Sequence, residues 1–265
     1  MRKESENIYL KLTRVFNQGR TRAIISSGQA VVLHRLAIMS KDGDWIVREE
    51  PEDLLFILNV LDRRGAVYRF GAPLDARWLA GGWSSHFEFS FDGMRVRCDF
   101  FSRPPRVRDN ELDLLWERQS NRNIPFLDVE TLLRVKQTQR EKDYAVIGEL
   151  ARRLPPERQL LCGRSARDLI DLASLHPDAA RMLSSERALL CHALDADRDA
   201  LEEALDKERR KLMRADETRL DAYAAAAASW RQAWPALQTS LTGLPLKNAH
   251  ARILQTAEGV LPFAP

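Results

Sequence analysis

Apolar and polar positions along this chain change period several times, and each change marks an expected element. Over residues 5–18, Ile8, Leu10, Leu12, Val15 and Phe16 recur at helical spacing behind Ser5, a residue that can cap a helix. Ala23 to Ser26 is a short apolar stretch with strand character, and it runs into the small-residue turn Ser26-Ser27-Gly28. Gln29 to Leu36 fits a helix, with Ala30, Leu33 and Ala37 on one side. Asp44 to Val47 is apolar and β-prone, so Asp42 and Asp44 open a strand or lie within it. Pro51 can start a helix that carries Leu54, Leu55, Ile57, Leu58 and Leu61 and stops at Gly65.

The period then shortens. Ala66 to Phe70 reads as a strand and Gly81-Gly82 as a turn. His86 to Phe91 and Met94 to Phe101 flank Asp92-Gly93, a hairpin signal. From Asp128, which can cap it, a long helix with Leu132, Leu133 and Val135 on its apolar side is expected to reach about Leu154, where Pro155-Pro156 stops it. Beyond that the chain changes character. Ser165 to Trp234 contains no glycine and one proline, Pro177, so helices are expected throughout. Leu190, Leu194, Leu201, Leu205 and Leu212 form a stripe among charged residues, and the alanine-rich Ala222 to Ala228 follows. The expected organisation is an α+β domain over 1–154, with a mixed β-sheet and flanking helices, then an all-helical domain over 155–265, with the boundary near Pro155.

Composition narrows the class. With 45% hydrophobic and 30% charged residues among 265, the chain can bury an ordinary core. A net charge of +3 is too small to demand a nucleic-acid partner, and local patches matter more than the total. The three cysteines, Cys98, Cys162 and Cys191, are far apart, which argues against a disulfide framework or a zinc knuckle and fits a reducing cytoplasm. No run approaches the roughly 18 apolar residues of a membrane span, and the charged N-terminus has no secretory apolar stretch. A cytoplasmic protein is expected.

The chemistry sits in Ser40-Lys41-Asp42-Gly43-Asp44. Strand side chains alternate faces, so Asp42 and Asp44 point the same way, and their like charges repel unless a cation lies between them. Hard oxygen ligands of this kind suit Mg²⁺ bound together with a phosphate. Asp99, in Val96-Arg97-Cys98-Asp99-Phe100-Phe101, is a third carboxylate in an otherwise apolar strand, where it either joins the pair or faces water from an edge.

The order of small-residue turn, helix, Asp-x-Asp strand and later single-Asp strand resembles the DNA polymerase β-type nucleotidyltransferase fold. More narrowly it is similar to the minimal nucleotidyltransferases of abortive-infection and toxin–antitoxin systems, over roughly residues 20 to 150. The matching positions are Ser27-Gly28, Ser40-Lys41-Asp42-Gly43-Asp44, Asp99, and Lys136 with Arg140-Glu141-Lys142-Asp143. Two positions depart from the family: the turn begins with Ser27 where a glycine is usual, and Ile38 and Met39 stand where a basic residue often does. The resemblance implies that Asp42, Asp44 and Asp99 bind Mg²⁺ and act in catalysis, with Asp99 helping to deprotonate an acceptor hydroxyl. It also implies that Ser27, Gly28, Ser40 and Lys136 contact an NTP. The implied reaction moves a nucleoside monophosphate to a hydroxyl on tRNA or a protein. The alternative is an inactive nucleotidyltransferase-fold module that works through a protein partner.

Other candidates have plainer readings beside their functional ones. Lys136 is a phosphate contact or a helix-surface lysine, and Arg140 with Asp143 an i,i+3 pair. Arg187 and His192 have the spacing of a helical ribonuclease motif or none of its function. His34 is packed or exposed, and His86, His176 and His250 have no metal-ligand spacing. Cys98 is expected to be a buried hydrophobe. Trp45, Trp78 and Trp83 stack a base or fill a core. Lys207 to Lys211 either touches RNA phosphates or forms a solvated helix face.

Overall fold

The computed structural model describes residues 7–120 and 122–265. These form two compact units, one from the chain up to Leu127 together with Asp221–Pro265, the other from Asp128–Leu220. Pro155 and Pro156, where the sequence suggested a boundary, lie inside the second unit, and Pro156 opens a helix there.

The first unit runs α1 (Ile8–Phe16), β1 (Ala23–Ile25), α2 (Ser27–Leu33), β2 (Asp42–Val47), α3 (Pro51–Asp62), β3 (Val67–Tyr68), α4 (Ala76–Ala80), β4 (Ser85–Phe91), β5 (Met94–Phe101) and α5 (Asp109–Gln119). The second holds α6 (Val129–Val135), α7 (Asp143–Ala151), α8 (Pro156–Cys162), α9 (Ala166–Leu175), α10 (Pro177–Leu183), α11 (Leu190–Leu194) and most of α12 (Arg198–Ala226). The end of α12, α13 (Ala228–Leu241) and α14 (Leu246–Val260) belong to the first unit again. The fold class is therefore α+β, with a five-stranded mixed sheet, flanking helices and a helical C-terminal region, as expected. Ser5, the expected cap of the first helix, lies outside the described residues; α1 is capped by Asn7, whose side chain accepts from the Tyr9 N–H at 2.9 Å.

The sheet order is β1-β2-β5-β4-β3; β2 and β5 pair in parallel, and the other neighbouring strands pair antiparallel. The hairpin expected at Asp92-Gly93 forms there, because both residues adopt the positive φ (49° and 73°) that a two-residue hairpin turn requires. One face of the sheet is packed. Trp45 stacks on Phe100 with ring centroids 5.3 Å apart, and Phe16 of α1 meets both rings edge-on. The Trp45 indole N–H donates to Thr13 Oγ1 at 2.9 Å, so its polar end is satisfied inside the core. Gly43 follows from the same packing: a Cβ there would sit 2.4 Å from the Trp45 ring and 2.5 Å from the Tyr9 ring. Trp45, Trp78 and Trp83 are all buried core residues, as is Cys98, whose thiol pKa is pushed up by burial.

Residues after Asp221 return to this unit through specific bonds. Tyr223 Oη donates to the Gly81 carbonyl (2.8 Å), Trp230 Nε1 to Gly71 (3.0 Å), and the Trp78 indole to Leu261 (3.1 Å). The Leu246 N–H donates to Asp62 Oδ1 at 3.0 Å.

In the second unit, Leu160, Leu169, Ala180, Leu190, Leu201 and Leu205 make the core. The long helix expected over 128–154 is two helices, α6 and α7. Asp128 does cap the first, accepting from the Thr131 N–H at 2.9 Å. The break at 136–142 is held by side-chain bonds that compete with the helical ladder: Thr138 Oγ1 donates to Asp143 Oδ2 (2.9 Å) and accepts from the Arg140 N–H (3.1 Å), while the Gln139 N–H donates to Asp216 (3.0 Å). Arg187 is buried, and its guanidinium donates to the carbonyls of Leu160 (2.7 Å) and Gly163 (2.8 Å) and pairs with Glu208 (2.8 Å). It is thus a structural brace, and His192, five positions further along the chain, is half-buried.

Asp143 and Glu208, with Glu130 beside Arg158 and Arg134, give this unit a pH dependence. Burial alone would raise Asp143, but Lys136, Thr138 and Arg140 outweigh it and hold the carboxyl below its ordinary value. Burial likewise opposes the charge on Glu208, and Arg187 with Arg164 again outweighs it. A lowered folded-state pKa means stability that is present above the unfolded value, about 4 for such groups, and lost as pH falls through the folded one. Denaturation near neutral pH and at about pH 3 should show wild type losing stability on acidification. Asp143→Asn should be less stable at neutral pH and lose less between the two conditions; an equal acid loss in both proteins would refute the assignment to Asp143.

Candidate active site

The polar face of the sheet gathers the acidic residues. Asp42 and Asp44 lie on β2 as expected, and the parallel register sets Asp44 directly beside Asp99 and Asp42 beside Arg97 on β5. The hairpin register sets His86 beside Asp99 and Glu88 beside Arg97. Asp44, Asp99 and His86 thus form one row across β2, β5 and β4, while Gly43, Cys98 and Phe87 occupy the buried face beneath.

This face is charge-matched in part. Asp99 Oδ1 is 2.8 Å from His86 Nδ1 and 3.3 Å from the Arg69 guanidinium. The histidine contact has hydrogen-bond distance without hydrogen-bond geometry, so it is an ion pair when the ring is protonated. Arg69 also lies 3.6 Å from Glu88, which pairs with Arg95. The Arg97 guanidinium is 3.5 Å from Asp42 Oδ1, yet that oxygen is buried and has no hydrogen-bond partner. Among the described residues, no three His, Cys, Asp or Glu side chains are gathered as a metal-binding group.

The Ser26–Gln29 turn is docked on the start of β2. The Ser26 N–H donates to the Asp44 carbonyl at 2.8 Å. Gly28 approaches Ser40 so closely that a Cβ would lie 2.3 Å from Ser40 Oγ. Gln29, buried, donates from Nε2 to the carbonyls of Ser40 (3.1 Å) and Asp42 (3.3 Å), and accepts from Asn7 (3.2 Å). Ser27 carries φ +47°, a left-handed conformation that costs a non-glycine residue about 1–2 kcal/mol. Tyr9 Oη donates to the Lys41 carbonyl at 2.5 Å; burial, with the Asp42 and Asp44 charges adding, pushes its pKa up to about 12, so the phenol stays protonated. Ile38 and Met39, just before Ser40, are exposed.

Gly28→Ala should therefore displace Ser40 and the entry to β2. Circular dichroism melting should show a lower midpoint than wild type; an unchanged midpoint would mean the close approach is not maintained in solution.

Asp42, Asp44, Asp99, Ser27, Gly28 and Ser40 all lie in the first unit. Lys136 lies in the second, where it is buried and its Nζ donates to Asp143 Oδ1 at 3.1 Å. Arg140 and Asp143 form the i,i+3 pair at 2.8 Å. Sequence reasoning missed His86, Arg69, Arg97 and Gln29. His86 was within reach, because a two-residue turn at Asp92-Gly93 pairs His86 with Asp99 by counting outward along the hairpin.

No protein-family model matches the chain, and no curated protein matches it. Among solved structures, the chain is similar to one described as "putative nucleotidyltransferase from H. pylori", at 13% identity and a TM-score of 0.39, over 81% of this chain and 97% of that one. No helix among the described residues is long and apolar enough to cross a membrane.

Proposed function

We propose that this chain is a Mg²⁺-dependent nucleotidyltransferase that moves a nucleoside monophosphate from an NTP to a hydroxyl on tRNA or a protein, in a toxin–antitoxin or phage-defence setting. The observation that carries the reading is the register of β2 and β5, which sets Asp44 beside Asp99 with Asp42 on the same face. The docked Ser27-Gly28 turn beside Ser40 supports it.

Asp42 and Asp44 would hold the cation: their donors are hard oxygens, and Asp42 Oδ1 is buried without a hydrogen bond to satisfy it. Asp99, beside Asp44 in the register and engaged through Oδ1 by His86 and Arg69, would complete the cluster and take the acceptor's proton. When bound, the cation supplies charge neutralisation of the triphosphate and polarisation of the attacked α-phosphorus. Ser27, Gly28 and Ser40 would hold phosphate oxygens and fix the nucleotide in line. The acceptor hydroxyl would lose its proton to the Asp99 carboxylate as its oxygen bonds to the α-phosphorus and pyrophosphate departs.

A second reading rests on Arg97 beside Asp42 and on Arg69 beside Asp99, which partly neutralise the carboxylates from within the protein. It is a nucleotidyltransferase-fold module that binds a protein partner and catalyses nothing. Thermal-shift titration with each NTP, with and without Mg²⁺, separates the two. The enzyme reading expects a Mg²⁺-dependent rise in melting temperature for at least one NTP, lost in Asp42→Ala, since binding to the native state stabilises it by mass action. No shift at saturating nucleotide would leave the binding-module reading.

A further inference from the structure

We infer that the second unit carries its own binding site for the phosphate group of a nucleotide or an RNA strand, in the cleft where α9 and α12 meet. The cleft has a volume of about 420 Å³, within the range of small-ligand sites, and Arg164, Arg167, Arg198 and Arg209 line it against two carboxylates, Glu202 and Asp206.

Arg164 is the anchor of the argument. Its side chain is only 11% exposed, and among the described residues it pairs with Glu208 at 2.5 Å, which the buried Arg187 shares. One carboxylate therefore serves two buried guanidiniums, and Arg164 Nε is buried with no hydrogen-bond partner. Burial and the neighbouring Arg187 outweigh Glu208 and lower the Arg164 pKa, as happens to a cation with too little compensation. A buried cation in that state gains from an added anion.

The other three arginines are free to follow. Arg167 is 3.9 Å from Asp171, Arg198 is paired with Glu202, and Arg209 with Asp206 and Glu141. Their side chains are 84%, 70% and 36% exposed, and exposed pairs of this kind contribute little, so exchanging a carboxylate for a phosphate costs little. Guanidinium groups bind phosphate oxygens through paired, charge-assisted hydrogen bonds. The basic run Lys207 to Lys211 is split by this arrangement: Glu208 turns to Arg164 and Arg187, while Arg209 faces the cleft.

Isothermal titration calorimetry of the full chain, in EDTA to keep cations from the sheet face, tests the site with adenosine monophosphate, a short single-stranded RNA and adenosine. Binding of the monophosphate but not adenosine identifies a free nucleotide as the source; binding of the RNA alone identifies strand phosphates. In the triple variant Arg167→Ala/Arg198→Ala/Arg209→Ala, whose residues are exposed enough to leave folding intact, affinity should fall roughly tenfold or more, with an unchanged circular dichroism spectrum. In Asp42→Asn it should be unchanged. Absence of binding by both phosphate probes, affinity in the triple variant equal to wild type, or loss in Asp42→Asn would each overturn the inference.

Discussion

Trp45→Ala is expected to destabilise the first unit by about 3–5 kcal/mol, the range for emptying a large aromatic site in a core. Trp45 has no exposed surface, stacks on Phe100, is met edge-on by Phe16, and gives its N–H to Thr13. Removing it leaves a void under β2 and β5 and takes one of its two partners from the Thr13 hydroxyl, which still donates to the Tyr9 carbonyl, and the surrounding rings cannot close the gap without moving α1. Because Trp45 adjoins Asp44, the same change should loosen the acidic row. Urea denaturation followed by far-ultraviolet circular dichroism gives the number, with Trp45→Phe as the conservative partner expected to lose less. A loss below about 1 kcal/mol in the alanine variant would mean that this ring cluster does not organise the unit.

Asp44→Ala should reduce nucleotide transfer by about a thousandfold or more while the melting temperature without ligand stays close to wild type. On the proposed reading, several kcal/mol of transition-state stabilisation would depend on a cation held by that carboxylate, and each 1.36 kcal/mol is about a factor of ten in rate. Asp44 is half-buried on the polar face, so its truncation opens no core cavity. Transfer of a labelled nucleotide to RNA or protein, measured across all NTPs, reads the effect. Unchanged transfer in Asp44→Ala would move the chemistry elsewhere. Asp99→Asn completes the comparison: it keeps the shape of the row beside His86 and removes the proposed proton acceptor, so on that reading it should lower the transfer rate with less effect on nucleotide binding.

How much of this could be read from the chain depends on how local the deciding interactions are. The Asp92-Gly93 hairpin was legible because two adjacent residues carry the turn's positive φ values. The shared face of Asp42 and Asp44 was legible because a strand repeats every two residues. Buried Cys98 and the core tryptophans followed from their apolar surroundings. The break between α6 and α7 was not legible, because the local bonds of Thr138 act together with Asp216, far along the chain, accepting from Gln139. The partner of Lys136 was missed for a related reason: the residues between it and Asp143 were read as helix, not as the turn that brings the two together.

By itself, then, the sequence determined the strands and helices around the acidic residues, the hairpin and the alternation of faces, all set by neighbours a few positions apart. The tertiary structure decided the parallel pairing of β2 with β5 that puts Asp44 beside Asp99. It also decided the return of residues 221–265 to the first unit and the sharing of Glu208 by two buried arginines. Those arrangements bring together residues tens of positions apart, and loop closure leaves many such pairings close in cost, so the packing of the whole core selects among them.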